Sequence, residues 1–369
     1  MKAHNRLSIR LLILGLLVSP SLPAAAEHSA ASQISAEIAR LQQSIKDKPV
    51  TDKDAAPIAT MAQDALKASA AAANAGQVYL ALEKLGQAED LLQGARTAAD
   101  KAQVEKGGLP AFQSQWNNAS LRLSALDKEA HARQWNDSPL AVRALAEAAQ
   151  GKAIPLLEGG QGFAVATAPK DGLFYVGQAE GEAHFATFCA SLKFAGTQPG
   201  FALRSLLPEL QALQQKVTAA FQPPQSIELH TRFIALNSQI KLAQELDSTR
   251  FYAGALYAYM EATRHYGMLR EPPLDAAKQA ALKQDLAAER KKLAASSADN
   301  SLAQLFIERA ESSTAHPDGS APTADEWRGA RVILDQVLPA YYAAQKPTTP
   351  LEQASGKTVD ITLVRWPYT

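Results

Sequence analysis

The chain has 369 residues, of which 37 are basic, 37 acidic and only one is cysteine. A lone cysteine excludes an internal disulfide, so the fold must be held by a hydrophobic core, and a chain of this length can bury one. Balanced charge without a basic stripe excludes nucleic acid as the natural ligand, because clustered positive charge supplies most of that affinity.

Residues 1–26 differ in kind from the rest. Lys2, Arg6 and Arg10 form a basic start without acids, residues 11–18 are apolar, and Ala24-Ala25-Ala26 puts small residues where a signal peptidase cuts. The apolar run is shorter than the roughly 20 residues that span a bilayer. The expectation is a signal peptide cleaved after Ala26, a periplasmic or secreted mature chain starting at Glu27, and no membrane span after cleavage. Cleavage leaves 34 basic against 37 acidic residues, a net of −3.

The mature sequence is rich in Ala, Leu, Gln, Glu and Lys, all good helix formers. Ile34, Ile38, Leu41 and Ile45 step by four, three and four, the seam of a packed helix, and Pro49 stops it. A second helix starts near Asp54 with Pro57 in its first turn, and Asn74-Ala75-Gly76 ends it with a left-handed residue. Leu82, Leu85, Leu91 and Leu92 mark a third helix. Pro110 opens a fourth, with Phe112, Trp116, Ala119, Leu123, Leu126 and Ala130 on one face. About four helices close a helical core, so 27–135 reads as an N-terminal bundle.

The second region, 136–369, starts a helix at Ser138-Pro139 and ends it at Gly151. Glycines at 159, 160, 162, 172 and 177 and the turn signal Pro169-Lys170-Asp171-Gly172 follow, which predicts a small β-hairpin over 163–176. A loop and then a helix starting near Tyr175 is the alternative. Helices resume over 178–194, 203–220, 226–246, 248–268, 275–295 and 300–312. Thr323 and Glu326 fit a capping box, opening a last helix that runs to about Gln345 and kinks at Pro339. Residues 358–366 are β-branched and aromatic and read as a strand, which needs a partner to be stable. The fold class is therefore mainly α: a multi-helix bundle or irregular α-array with a small β element. The stretches 77–82 and 252–257 share an aromatic, small, Ala-Leu character, but no solenoid period emerges.

Phosphate loops, G-x-S-x-G elbows, H-E-x-x-H and Cys–His zinc spacings are all missing from the sequence, and Ser238–Lys241 matches S-x-x-K without its companion motifs. One helix stands out. Residues 250–266 carry five aromatics, with Phe251, Ala255, Ala258 and Ala262 in a stripe that lets another helix approach. Tyr252, Tyr259, Glu261, Arg264 and His265 are the candidate ligand-binding residues there, although tyrosines at such spacing also serve at a core edge. Glu180, Glu182 and His184 are the metal candidates, but a site needs three or four converging ligands, and no metal or cofactor is expected. Cys189, among Phe185, Phe188 and Leu192, reads as a buried thiol. Val359, Ile361, Leu363 and Trp366 can add to a partner's sheet edge or pack on the hairpin. Without a catalytic constellation, the chain reads as a non-catalytic envelope scaffold or interaction protein with a protein partner. A small-ligand-binding protein or envelope enzyme using 250–266 is the alternative.

Overall fold

Breakers divide the helix-forming sequence as expected along most of its length. The structure, a computed structural model, describes residues 24–135, 137–194, 201–221, 226–316 and 319–345. The helices are α1 (Ala24–Asp47), α2 (Ala56–Asn74), α3 (Val78–Ala99), α4 (Ala102–Ala132), α5 (Leu140–Ala166), α6 (Leu173–Ser191), α7 (Leu207–Ala220), α8 (Ile227–Ser248), α9 (Tyr252–Met268), α10 (Ala276–Ala295), α11 (Ser301–Thr314), α12 (Ala324–Val332) and α13 (Leu338–Ala344). A π-helical turn, Ile333–Val337, joins α12 to α13. It lies just before Pro339, where a kink was expected; proline cannot donate the bond that a regular α-helix would need there. Among the described residues there is no strand. Residues 1–23 of the expected signal peptide, and the expected strand with Val359, Ile361, Leu363 and Trp366, lie outside the described residues.

The hairpin expected over 163–176 is instead helix, a 3-10 turn and helix. Helix α5 continues to Ala166, Pro169–Gly172 form the tight turn, and α6 starts at Leu173. Three of the glycines that suggested turns, Gly160, Gly172 and Gly177, are points of close contact. A Cβ on Gly172 would sit 2.4 Å from the Gly160 carbonyl oxygen, and one on Gly160 would sit 2.9 Å from the Tyr175 Cβ. Gly151 likewise ends no helix: it lies in mid-α5, where a Cβ would meet Leu246 at 2.4 Å.

The helix order runs twice through one plan. Helix α1 packs on the α2–α3 hairpin, and α7 packs on the α8–α9 hairpin. Helix α4 lies on α5 as α10 lies on α11, and α6 packs on α3 and α5 as α12 packs on α9 and α11. The two hairpins turn alike. Gly76 (φ 73°) and Arg250 (φ 67°) each adopt the left-handed conformation. The next residue then bonds back across the turn, Gln77 N–H to the Ala72 carbonyl at 2.9 Å and Phe251 N–H to Leu246 at 2.8 Å, which is Schellman geometry. The shared character of 77–82 and 252–257 is therefore structural, with Gln77 matching Phe251.

The halves are tied by carboxylates that cap each other's helices. Neither α3 nor α9 has a side-chain cap from its own first residue. Instead Glu308 of α11 accepts the Leu80 N–H at 2.9 Å, and Glu147 of α5 accepts the Gly254 N–H at 2.9 Å. Asp299, just before α11, accepts the Leu140 N–H of α5 at 2.6 Å. A carboxylate at a helix start answers both its unpaired N–H groups and its positive end. Deleting either cap, by Glu147→Ala or Glu308→Ala, is expected to cost about 1–3 kcal/mol, the usual penalty for an orphaned buried donor. Denaturant unfolding measures this, and losses of similar size at the two sites are the outcome the repeated plan requires. The main core draws on both halves, from Ile34 to Ala344, and α4 contributes Phe112 and Leu123 to a second cluster with α5 and α6.

Candidate functional site

Where the two halves meet they leave a cavity of about 780 Å³. Helices α3, α5 and α6 line one side and α8, α9, α11 and α12 the other. Glu83 and Tyr257 stand at matching positions after the two left-handed turns, and they touch: the Tyr257 hydroxyl donates to Glu83 at 2.6 Å. Arg309 of α11 closes the group. Its Nε donates to Glu83 at 2.6 Å, its Nη2 donates to the Tyr257 oxygen at 2.8 Å, and it pairs with Glu261. Arg264 donates to the other Glu261 oxygen at 3.1 Å. The Arg309 guanidinium also lies 4.8 Å from the Phe306 ring centre.

Burial pulls the Arg309 guanidinium down to about 9, and two carboxylates in contact hold it charged at neutral pH. Burial pushes the Tyr257 phenol well up, with the Glu261 charge adding to it. This is a neutralised network joining α3, α9 and α11.

The α3–α5–α6 side is less balanced. Glu182 of α6 is buried and accepts from Lys152 of α5 at 3.1 Å. Asp90 of α3 faces the same cavity, but its Oδ1 is shielded from solvent with no hydrogen-bond partner. Burial, and then the Glu182 charge, push the Asp90 carboxyl up to about 8. Two acids share one ammonium there.

At the outer rim His316 bonds to Glu326 at 2.9 Å and Ser320 at 2.7 Å. His265 beside Arg264 is pressed down by burial and by that charge.

Of the expected ligand-binding residues, Glu261, Arg264 and His265 line the cavity, whereas Tyr252 and Tyr259 do not. Tyr259 packs against Leu213, Phe233 and their neighbours. The right face of α9 is Tyr257, Glu261, Arg264 and His265, at i, i+4, i+7 and i+8. The metal candidates do not converge. Glu180 pairs with Arg122, Glu182 with Lys152 and His184 with Glu89, and among the described residues no group of three or more His, Cys, Asp or Glu side chains is placed to hold a metal ion. Cys189 is fully buried in the core and burial raises its thiol well above the ordinary value.

Comparison with protein-family models, curated proteins and solved structures finds no match. The chemistry must therefore be read from the cavity. Its charged groups mostly neutralise one another.

The raised carboxyls set a pH dependence. Glu308, fully buried, is pushed up to about 7 by burial, and Asp90 to about 8. In the folded state both keep protons that the unfolded chain has released, so their stabilising contribution is complete at low pH and is lost as pH rises through 7–8. Thermal melting is expected to occur at higher temperature at pH 5.5 than at pH 8.5. Glu308→Gln is expected to flatten that slope, and an upward trend with pH would contradict the assignment.

Proposed function

We propose that this protein is an exported small-ligand-binding protein whose site is the cavity between its two halves. The observation that supports this best is the cavity itself: about 780 Å³, lined by residues of seven helices and by several ionisable side chains. Natural ligand sites fall in this size range, and commonly lie where structural units meet. The α9 face that reads as a candidate binding surface in the sequence contributes three of the expected five residues. Export belongs to the same proposal, with residues 1–26 as the signal peptide and Glu27 as the mature N-terminus, which N-terminal sequencing of the exported protein checks.

A scaffold reading has less to support it. The large apolar side chains left most exposed, Leu121, Val165, Met61 and Ile234, belong to different helices, and such scattered exposure is ordinary on a protein surface.

The test is a thermal-shift screen of the mature protein against small polar metabolites, because a ligand that binds only the folded state raises its melting temperature. Gly329→Phe is the control. Gly329 lines the cavity, and a Cβ there meets only the Met268 sulfur, at 3.8 Å, so the added ring has room to enter the cavity. The proposal expects stabilising molecules that lose their effect in this variant. Hits indifferent to it would remove the cavity from the account.

A further inference from the structure

On the α3–α5–α6 side of the cavity one carboxyl group has no cation of its own. Asp90, Glu182 and Lys152 come from α3, α6 and α5, and all three line the cavity. Lys152 is committed to Glu182 at 3.1 Å. The Asp90 Oδ1 is shielded and unpartnered, and its carboxylate is eased only by the Lys152 charge it shares with Glu182 and by the Leu91 N–H. With all three ionised, this group carries one net negative charge, and a carboxylate with a shielded oxygen and no cation of its own is costly to ionise. The approach of α6 is close by construction. A Cβ on Gly181 would meet the Asp90 Cα at 2.7 Å, so glycine lets α6 bring Glu182 up to the same spot.

We propose that the α3–α5–α6 side of the cavity binds the cationic nitrogen of the ligand, an organic ammonium group, with Asp90 as its counter-ion and Glu182 beside it. This rests on the cavity being the ligand site and adds the chemical class of what enters it. An organic ammonium suits the place better than a metal ion. It needs one carboxylate and a few acceptors, whereas a metal ion needs three or more converging ligands, and among the described residues no third acidic or histidine ligand converges there. The Lys152 side chain, 39 % open and facing the cavity, keeps Glu182 satisfied while Asp90 takes the ligand. Lys84, which also lines the cavity, donates only to Gln87, at 3.0 Å.

The experiment uses the mature full chain and three four-carbon probes that differ only in their end groups: 1,4-diaminobutane, 1,4-butanediol and succinate. Binding is read by isothermal titration calorimetry at pH 8 and by the shift in melting temperature. The expected result is that the diamine binds at least tenfold more tightly than the diol or succinate, and that Asp90→Asn removes this preference. Asp90→Asn should melt no lower than wild type at pH 8, since it deletes an unpaired buried charge, so loss of binding cannot be assigned to unfolding. Glu182→Gln, which leaves Lys152 unpaired, should weaken the diamine less than Asp90→Asn. Tighter binding of succinate, equal binding of all three, no binding of the diamine, or diamine binding that survives in Asp90→Asn overturns the inference. A cavity ligand of another class, lost in Gly329→Phe and unaffected by Asp90→Asn, would overturn it while leaving the binding-protein reading intact.

Discussion

Replacing Arg309 with methionine is expected to destabilise the protein by about 3–5 kcal/mol, the cost of removing one partner from a buried ion pair. Arg309 neutralises Glu83 from α3 and Glu261 from α9 at once and donates to Tyr257 between them. Both carboxylates are only 9 % exposed. Without the guanidinium, Glu83 has only the Tyr257 hydroxyl, and Glu261 has only Arg264, which is itself at the mouth of the cavity. Methionine keeps the unbranched apolar part of the side chain, so most of the loss reports on the guanidinium. The triple variant Arg309→Met with Glu83→Gln and Glu261→Gln should recover much of the stability, because the carboxylates that needed the cation are gone, and the sum of the single effects should exceed the combined one. Chemical denaturation measures all of these. A cost below about 1 kcal/mol for Arg309→Met would place the network with ordinary surface ion pairs and deny it a part in holding the halves together.

Gly254→Ala is the second large effect, at about 2–3 kcal/mol, toward the top of the range for an overpacked core. Gly254 lies in the first turn of α9, where its N–H meets Glu147. A Cβ would sit 2.8 Å from the Glu147 Cβ, 2.9 Å from the Ala148 backbone nitrogen and 3.0 Å from the Glu147 carbonyl carbon. Backbone atoms cannot step aside as a flexible side chain does, so α9 must move off α5 and carry Tyr257 and Glu261 with it. Denaturant unfolding gives the energy, and loss of ligand-induced thermal stabilisation gives the effect on the cavity. Gly329→Ala is the matched control: with only a sulfur at 3.8 Å, it should be neutral or slightly stabilising through the higher helix propensity of alanine.

The helices were legible because apolar residues recur at helical spacing and because proline, glycine and hydroxyl caps mark their ends. The capping box at Thr323 and Glu326 forms as the sequence indicates, and Gly76 takes the left-handed conformation that Asn74-Ala75-Gly76 suggested. Glycine also produced the main error. At Gly76 its value is a positive φ, whereas at Gly151, Gly160 and Gly172 it is the missing Cβ. A sequence does not distinguish these uses, since one is a property of the local backbone and the other of a neighbour far along the chain. The same distance hid the caps. Glu147 and Gly254 are 107 residues apart, and Glu308 and Leu80 are 228 apart.

The site was half legible for a related reason. Charged residues inside the alanine-rich and aromatic α9 stand out, and Glu261, Arg264 and His265 do line the cavity. The tyrosines chosen by their spacing of seven fall on another face, and Tyr257, at i−4 from Glu261, is the one that reaches the network. Glu83 carried a signal in the second copy of the hairpin, since it is the residue that matches Tyr257. Arg309 and Asp90 carried none. Each is a single charge on an amphipathic helix, indistinguishable from a solvated face until the opposite wall is present.

The most direct test of the account is native mass spectrometry of mature protein purified from an envelope extract without denaturation, with Gly329→Phe treated in parallel. The account predicts a wild-type adduct of one constant small mass that the variant lacks, with both proteins folded by circular dichroism. The same spectrum from both, whether bare or carrying the same adduct, would contradict it.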